Sequence, residues 1–294
     1  TFLTPGRILM RPMLCRALHA CAALLTLAGP LAAQSMSPPP FLQIFREEVK
    51  PGRAGPHPAV ESGWPRAFAK AKIQNHYIAM TTIYGPPEAW FCAGAGSIAE
   101  IEEQNKAIEK APGLTRELDR LSQADAANIS GYRAVLTRYQ PALSNGPDIN
   151  PAEMRVWEVL IFKVRPGHEG DFAEAARTYR TMVEGAKITA PWATFEVIAG
   201  MPGPTYLVFL PHKTLAEIDP TTGTGAEIEK AMTQEIMKKL GGLAEGYSSI
   251  ESLVMAVSPE MSYPRPEWVS QDPAFWGRRR ATAATTATPS GPGS

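Results

Sequence analysis

The chain has 294 residues, with 29 Lys+Arg against 29 Asp+Glu, 44% hydrophobic residues, 28 Pro, 24 Gly and three Cys. That composition excludes a disordered polyelectrolyte, a collagen-like repeat and a disulfide scaffold. The zero formal charge removes the electrostatic footprint of a dedicated nucleic-acid binder, and the length allows roughly one to three domains.

Residues 1–33 read as upstream sequence followed by a secretory signal peptide. Met10 or Met13 offers a start, Arg11 and Arg16 a basic n-region, residues 18–31 an apolar run, and Leu31-Ala32-Ala33 a small-residue cleavage site. His19 and Gly29-Pro30 interrupt the run, which falls short of the roughly 20 apolar residues of a membrane span. The expectation is an exported protein, periplasmic or extracellular, with no stable membrane anchor after cleavage near Ala33. Cleavage would leave 26 basic against 29 acidic residues and Cys92 as the lone cysteine, so no internal disulfide. Cys92 lies in an apolar strand segment and reads as a small buried hydrophobe. Residues 34–40 are a Pro-rich linker.

The folded part is predicted to start at residue 41, with a strand over 41–49 that ends at Pro51-Gly52. A helix follows, interrupted by Pro65. Strands over 77–84 and 90–93 flank Gly85-Pro86-Pro87, and Ser97-x-x-Glu100 is a capping box for a second helix, broken at Pro112-Gly113. A strand over 132–139 closes this half, and Asn145 to Asp148 begin a linker over 145–152. The second half repeats the order, with a strand over 154–164 that ends at Pro166-Gly167. Phe172, Ala175, Ala176, Tyr179, Met182 and Val183 mark an amphipathic helix, its start capped by Asp171 and Glu174. Strands over 194–199 and 206–210 come next, then a capping box at Thr214-x-x-Glu217. Ile228, Met232, Ile236 and Leu240 form a helical stripe ending at Gly241-Gly242, and the last strand covers 252–257. Residues 281–294 are only Ala, Thr, Pro, Gly and Ser, and are expected to be disordered.

An internal repeat underlies this symmetry. At an offset of 115, Val49-Lys50-Pro51-Gly52 meets Val164-Arg165-Pro166-Gly167, Trp64 meets Tyr179, Ala71-Lys72 meets Ala186-Lys187, Tyr77 meets Trp192 and Gly85 meets Gly200. After a two-residue slip, Ser97-Ile98-Ala99-Glu100-Ile101 meets Thr214-Leu215-Ala216-Glu217-Ile218. The predicted fold class is α+β: two ferredoxin-like βαββαβ repeats, over 41–144 and 153–264, packed sheet to sheet as an intrachain dimeric α/β barrel, with a C-terminal extension over 265–294. With its paired Pro-Gly turns, capping boxes and strand-end segments 138–144 and 258–264, the chain resembles the dimeric α/β-barrel superfamily fused in tandem. Within it, NIPSNAP-like and antibiotic-biosynthesis-monooxygenase-like exported bacterial proteins are the nearest likeness. That superfamily spans cofactor-independent monooxygenases, haem-degrading enzymes, peroxidases and members without known activity, so the resemblance implies a fold and leaves the chemistry open.

Residue types narrow the chemistry little. There is no HExxH, no Cys pair at zinc spacing and no G-x-S-x-G elbow, so no metal ligands are assigned. Gly94-Ala95-Gly96-Ser97 lacks the lysine of a phosphate loop and reads as a strand-to-helix turn. His57 and His168 lie in turns and read as surface residues. His76 opens a strand and His212 ends one, so either could face a cavity and meet a haem; no other cofactor is predicted. Glu158 and Glu196 interrupt apolar strands and, with His76 and His212, are the acid/base candidates, unless alternation turns the carboxylates to solvent. Tyr77, Trp157, Trp192 and Tyr206 could line an aromatic cleft, or simply pack. Two readings follow. One is a non-catalytic module binding a hydrophobic small molecule or a partner; the other is a monooxygenase-like enzyme, cofactor-independent or haem-dependent, acting on a hydrophobic or aromatic compound. Internal pseudo-symmetry allows a monomeric pseudo-dimer as well as a homodimer.

Overall fold

The computed structural model of the chain describes residues 37–146 and 148–277; the expected signal peptide and the Ala/Thr/Pro tail lie outside them. Eight strands carry the fold: β1 (Phe41–Val49), β2 (Tyr77–Tyr84), β3 (Glu88–Ala95), β4 (Ile129–Tyr139), β5 (Val156–Val164), β6 (Ala193–Ala199), β7 (Thr205–His212) and β8 (Tyr247–Tyr263). They close into one antiparallel ring in the order β1-β3-β2-β8-β5-β7-β6-β4. The first half therefore runs β4-β1-β3-β2 and the second β8-β5-β7-β6, which is the same order.

The expected intrachain barrel forms, and it closes strand to strand. The two halves meet at their edges, with β2 beside β8 and β4 beside β6. A separate four-stranded sheet would leave two rows of unpaired N–H and C=O groups, and pairing edge to edge removes them. Strand alternation then gives every strand an inner and an outer face. On β1, Leu42 and Ile44 turn into the bore with Arg46, while Phe45, Glu47 and Val49 face outward. The bore is filled at mid-height by Ile44, Trp90, Val159, Ile161, Leu207 and Met255, all fully buried. Eight strands leave an interior just wide enough for such side chains, and each buried aliphatic contributes about 1.5–3 kcal/mol. Trp90 is tied to one polar mouth: its indole N–H donates to Glu88 Oε2 at 2.5 Å, and the Arg46 guanidinium, bound to both Glu88 oxygens at 2.9 Å, stacks 4.5 Å over the ring.

Helices cover the outer faces. α1 (Pro56–Glu61), α2 (Gly63–Ala71), α3 (Ile98–Lys110) and α4 (Leu114–Asp125) belong to the first half; α5 (Glu169–Gly185), α6 (Gly223–Ala231) and α7 (Gln234–Leu243) belong to the second. The break anticipated near Pro65 falls at Ser62, so Pro65 sits in the first turn of α2, where its missing N–H costs no hydrogen bond. The first capping box forms: Ser97 Oγ accepts from Glu100 N–H at 3.1 Å and Glu100 Oε2 accepts from Gly96 N–H at 2.7 Å. The second is only half made. Glu217 Oε2 accepts from Lys213 N–H at 2.8 Å, Thr214 caps nothing, and only a 3-10 turn follows, ending at Ile218 two residues before Pro220. The expected continuous stripe is likewise split between Ala231 and Gln234, where Thr233 Oγ1 starts α7 by accepting from Ile236 N–H at 3.3 Å. α5 begins at Glu169, two residues before Asp171, whose carboxylate instead meets His168 Nδ1 at 2.7 Å.

The segments flanking the repeats are structural. α8 (Pro266–Gln271) and α9 (Pro273–Trp276) bring Trp268 and Trp276 into the bore core, with Trp276 Nε1–H donating to Ala152 O at 3.0 Å and Arg155 paired to Asp272. The end of the expected free linker, residues 37–40, is also tied down: Ser37 Oγ donates to Asp148 at 2.9 Å and Tyr139 N–H donates to Pro40 O at 2.9 Å.

The seam between β4 and β6 rests on Gly200, in the turn after β6. Its φ is +92°, and a Cβ there would stand 2.0 Å from Ala134 O on β4. Gly52 has φ +78° but open space around it. Gly200→Ala should therefore lower unfolding free energy by more than about 3 kcal/mol, against about 1–2 kcal/mol for Gly52→Ala, as read by urea denaturation of both variants.

Candidate functional site

Two cavities and one buried polar cluster hold the chemistry of this fold. The inner cavity, about 310 Å³, occupies the end of the bore away from Arg46 and Glu88. Leu42, Ile78, Met80, Phe195 and Phe209 wall it with Trp157, and Pro39 and Trp268 close over it. Its polar atoms are few. Trp157 Nε1 and His76 Nδ1 are both buried and have no hydrogen-bond partner. His76 lies flat on Tyr263 at 4.6 Å, and burial lowers its pKa. Cys92 also faces this space, and burial pushes its thiol up to about 12. That fits the small hydrophobe the sequence suggested, though half-buried, and not a nucleophile.

The outer cavity, about 380 Å³, lies between the second-half sheet and helices α5 and α7, against Phe162, Phe172, Tyr179, Trp192 and Tyr247. Trp192 Nε1–H is spent on Leu143 O at 2.8 Å, and Tyr206 stacks on Phe172 at 4.2 Å behind the wall. Beside it His212 Nε2 stands 3.8 Å from Glu158 Oε2, and Tyr179, whose pKa burial raises, feels the Glu158 charge.

The cluster lies on the outer face of the first half. His57 is 1% exposed, with Nδ1 2.8 Å from Asp125 Oδ2 and Nε2 3.7 Å from Glu47 Oε2. Burial pushes Glu47 up to about 7, with His57 opposing the shift and Asp125 adding to it. Burial pushes Glu61 up to about 9, with Glu47 and Asp125 adding to the shift. The Tyr77 hydroxyl, raised well above its usual range by burial, feels Glu61 and Glu47 and has no hydrogen-bond partner.

The eight residues singled out in the sequence do not converge. His76 and Trp157 meet at the inner cavity. Trp192 lines the outer one, with Tyr206, Glu158 and His212 nearby. The backbone of Tyr77 borders the inner cavity while its ring packs outward on Phe68 and Phe91. Glu196 is tied by Arg138 and Gln140, each at 2.7 Å, along the β4–β6 seam. His168 is exposed, as a turn residue should be. His57 is the correction: Gly55-Pro56-His57-Pro58 reads as a surface turn, but Pro56 starts α1 and tucks the imidazole under the helix. Glu47, Glu61 and Asp125 were missed with it. The legible signals were that Glu47 shares the outward face of Phe45 and Val49, and that Glu61 follows His57 by one helical turn.

A haem fits these walls poorly. The outer cavity offers no His, Cys or Met as axial ligand. In the inner one His76 is held flat on Tyr263 and Arg265 is the lone cation for the carboxylates of the macrocycle.

No protein-family model matches the chain, and no curated protein matches it in sequence. Solved structures do share its path. A provisionally assigned monooxygenase of Fusobacterium nucleatum is 10% identical over 76% of this chain and 94% of its own, with a TM-score of 0.49. An anthrone oxidase-like protein is 10% identical over 74% and 92%, with a TM-score of 0.49. A chlorite dismutase variant from Candidatus Nitrospira defluvii is 8% identical over 80% and 96%, with a TM-score of 0.45. These are likenesses of chain path only and transfer no residue role.

The pKa of Cys92 sets a direct check. At pH 8 the native protein should react with iodoacetamide at least about a hundred-fold more slowly than the urea-unfolded chain, as followed by intact-mass spectrometry.

Proposed function

We propose that this protein binds a hydrophobic or aromatic small molecule bearing a hydrogen-bonding group, and holds it in the inner cavity. The observation that carries this reading is the pair of unspent polar atoms, Trp157 Nε1 and His76 Nδ1, on a wall that is apolar apart from Ser37 and Arg265. A buried polar group left unpaired costs about 1–3 kcal/mol, which a guest with a matching acceptor would recover. The cavity volume is at the small end of ligand pockets, roughly 300–1,000 Å³, so the guest is one or two rings in size. A second reading has one observation of its own. The His212–Glu158 pair beside the outer cavity is a general base near an apolar site, as a monooxygenase-like enzyme acting on an activated aromatic would need.

Dye binding separates the two. A naphthalene-type fluorescent probe should bind the wild type, lose binding in Met80→Trp, which fills the inner cavity, and keep it in Leu160→Trp, which fills the outer one. The reverse pattern favours the second reading, and no binding to any form overturns both.

We further infer that the halves are tandem ferredoxin-like repeats of the NIPSNAP-like kind, supported by their common strand order and the 115-residue offset. A ring closed within one chain needs no second copy for closure, which supports a monomer; light scattering after gel filtration tests it. Export rests on the basic, apolar and small-residue run of residues 11–33. Expression of the whole chain in a bacterial host should yield periplasmic protein whose N-terminus lies near Gln34, by Edman sequencing.

A further inference from the structure

We propose that Glu47, His57 and Glu61 bind one divalent first-row transition-metal ion, with Asp125 orienting the imidazole. Glu47 comes from β1, His57 and Glu61 from successive turns of α1, and Asp125 from the last turn of α4. One donor atom from each of the four lies within 4.8 Å of the others.

His57 decides the chemistry. Asp125 accepts from Asn128 Nδ2–H at 2.8 Å through Oδ1, and faces His57 Nδ1 through Oδ2 at 2.8 Å. A carboxylate held this way draws the imidazole proton to Nδ1 and leaves the Nε2 lone pair bare. That atom is buried, without a partner, and 3.7 Å from Glu47 Oε2, which is equally unpartnered. The separation is too long for a hydrogen bond. It suits two ligands of one ion, since donors about 2.1 Å from a metal and 110–120° apart stand about 3.4–3.6 Å from each other. A carboxylate on the far nitrogen is also how metal-bound histidines are commonly fixed.

An atom outside the donor set points the same way. Tyr77 is 8% exposed, and its hydroxyl lies in the field of Glu61 and Glu47 with no hydrogen-bond partner. The second half supplies the contrast. At the 115-residue offset, Glu47, His57, Glu61, Trp64 and Tyr77 become Phe162, Phe172, Ala176, Tyr179 and Trp192. Four of those five are aromatic, and all five line the outer cavity. An apolar set thus occupies this place in the same fold, so packing alone does not call for buried acids and a histidine here. Buried ion clusters are seldom the more stable choice. One imidazole, two carboxylates and no thiolate suit Zn²⁺, Mn²⁺ or Fe²⁺ rather than a soft ion.

The test uses the whole chain, stripped with a chelator, dialysed, and titrated by calorimetry with ZnCl₂ and separately with MnCl₂. One equivalent should bind saturably with at least one of the two, and Co²⁺ should give a visible d–d absorption. Glu47→Gln and Glu61→Gln keep side-chain size and should weaken binding at least about tenfold with an unchanged circular-dichroism spectrum; His168→Ala should leave it unchanged. If Glu61→Gln fails to fold, Glu47→Gln, at the more exposed ligand, carries the test. No saturable binding of either ion, as expected if protons alone neutralise the cluster, overturns the proposal. Wild-type affinity in the folded Gln variants overturns it equally.

Discussion

Everything here depends on closure of the strand ring. β8 runs for 17 residues and pairs with both β2 and β5, while β4 pairs with both β1 and β6. These two strands convert a pair of open sheets into a barrel with no free edge. Closure also makes both faces of most strands interior. Inward residues meet across the bore and outward residues meet the helices, so any polar side chain on either face must find a partner or bear the cost of desolvation.

The bore answers that demand by zoning. At one mouth Arg46 and Glu88 neutralise each other and tie Trp90 between them. Lys163 and Glu251 pair at 2.6 Å on the same rim. The middle is packed and apolar, and the far end is hollow. On the outer faces the two halves diverge. The second leaves an apolar hollow between sheet and helices; the first fills the equivalent place with Glu47, His57, Glu61 and Asp125. One scaffold thus presents two different solvents to whatever occupies it.

Much of this organisation was legible in the residues. β1 was read to its full extent because alternation and the Pro51-Gly52 stop agree. The Ser97 cap was also readable, since Gly96, Ser97 and Glu100 are close in sequence and need nothing else. Thr214 shows the limit of that logic: the same pattern fails when Pro220 follows too closely for a helix to be established. The Pro-rich stretch before residue 41 read as free linker because its contacts, with Asp148 and Tyr139, lie about a hundred residues away. His57 was misplaced for a related reason. Pro on both sides suggests a turn, yet Pro56 is equally suited to the first turn of a helix, and only the sheet beneath α1 selects between them.

By itself, then, the sequence determined element order and strand periodicity, because these follow from local backbone preference and the alternation of apolar side chains. Only the tertiary structure decided that the sheets join at their edges, that Trp157 and His76 share a cavity, and that Glu47, His57 and Asp125 meet across 78 residues of chain. Such meetings depend on which strand lies beside which, and on the helix laid over each face. No local preference encodes either.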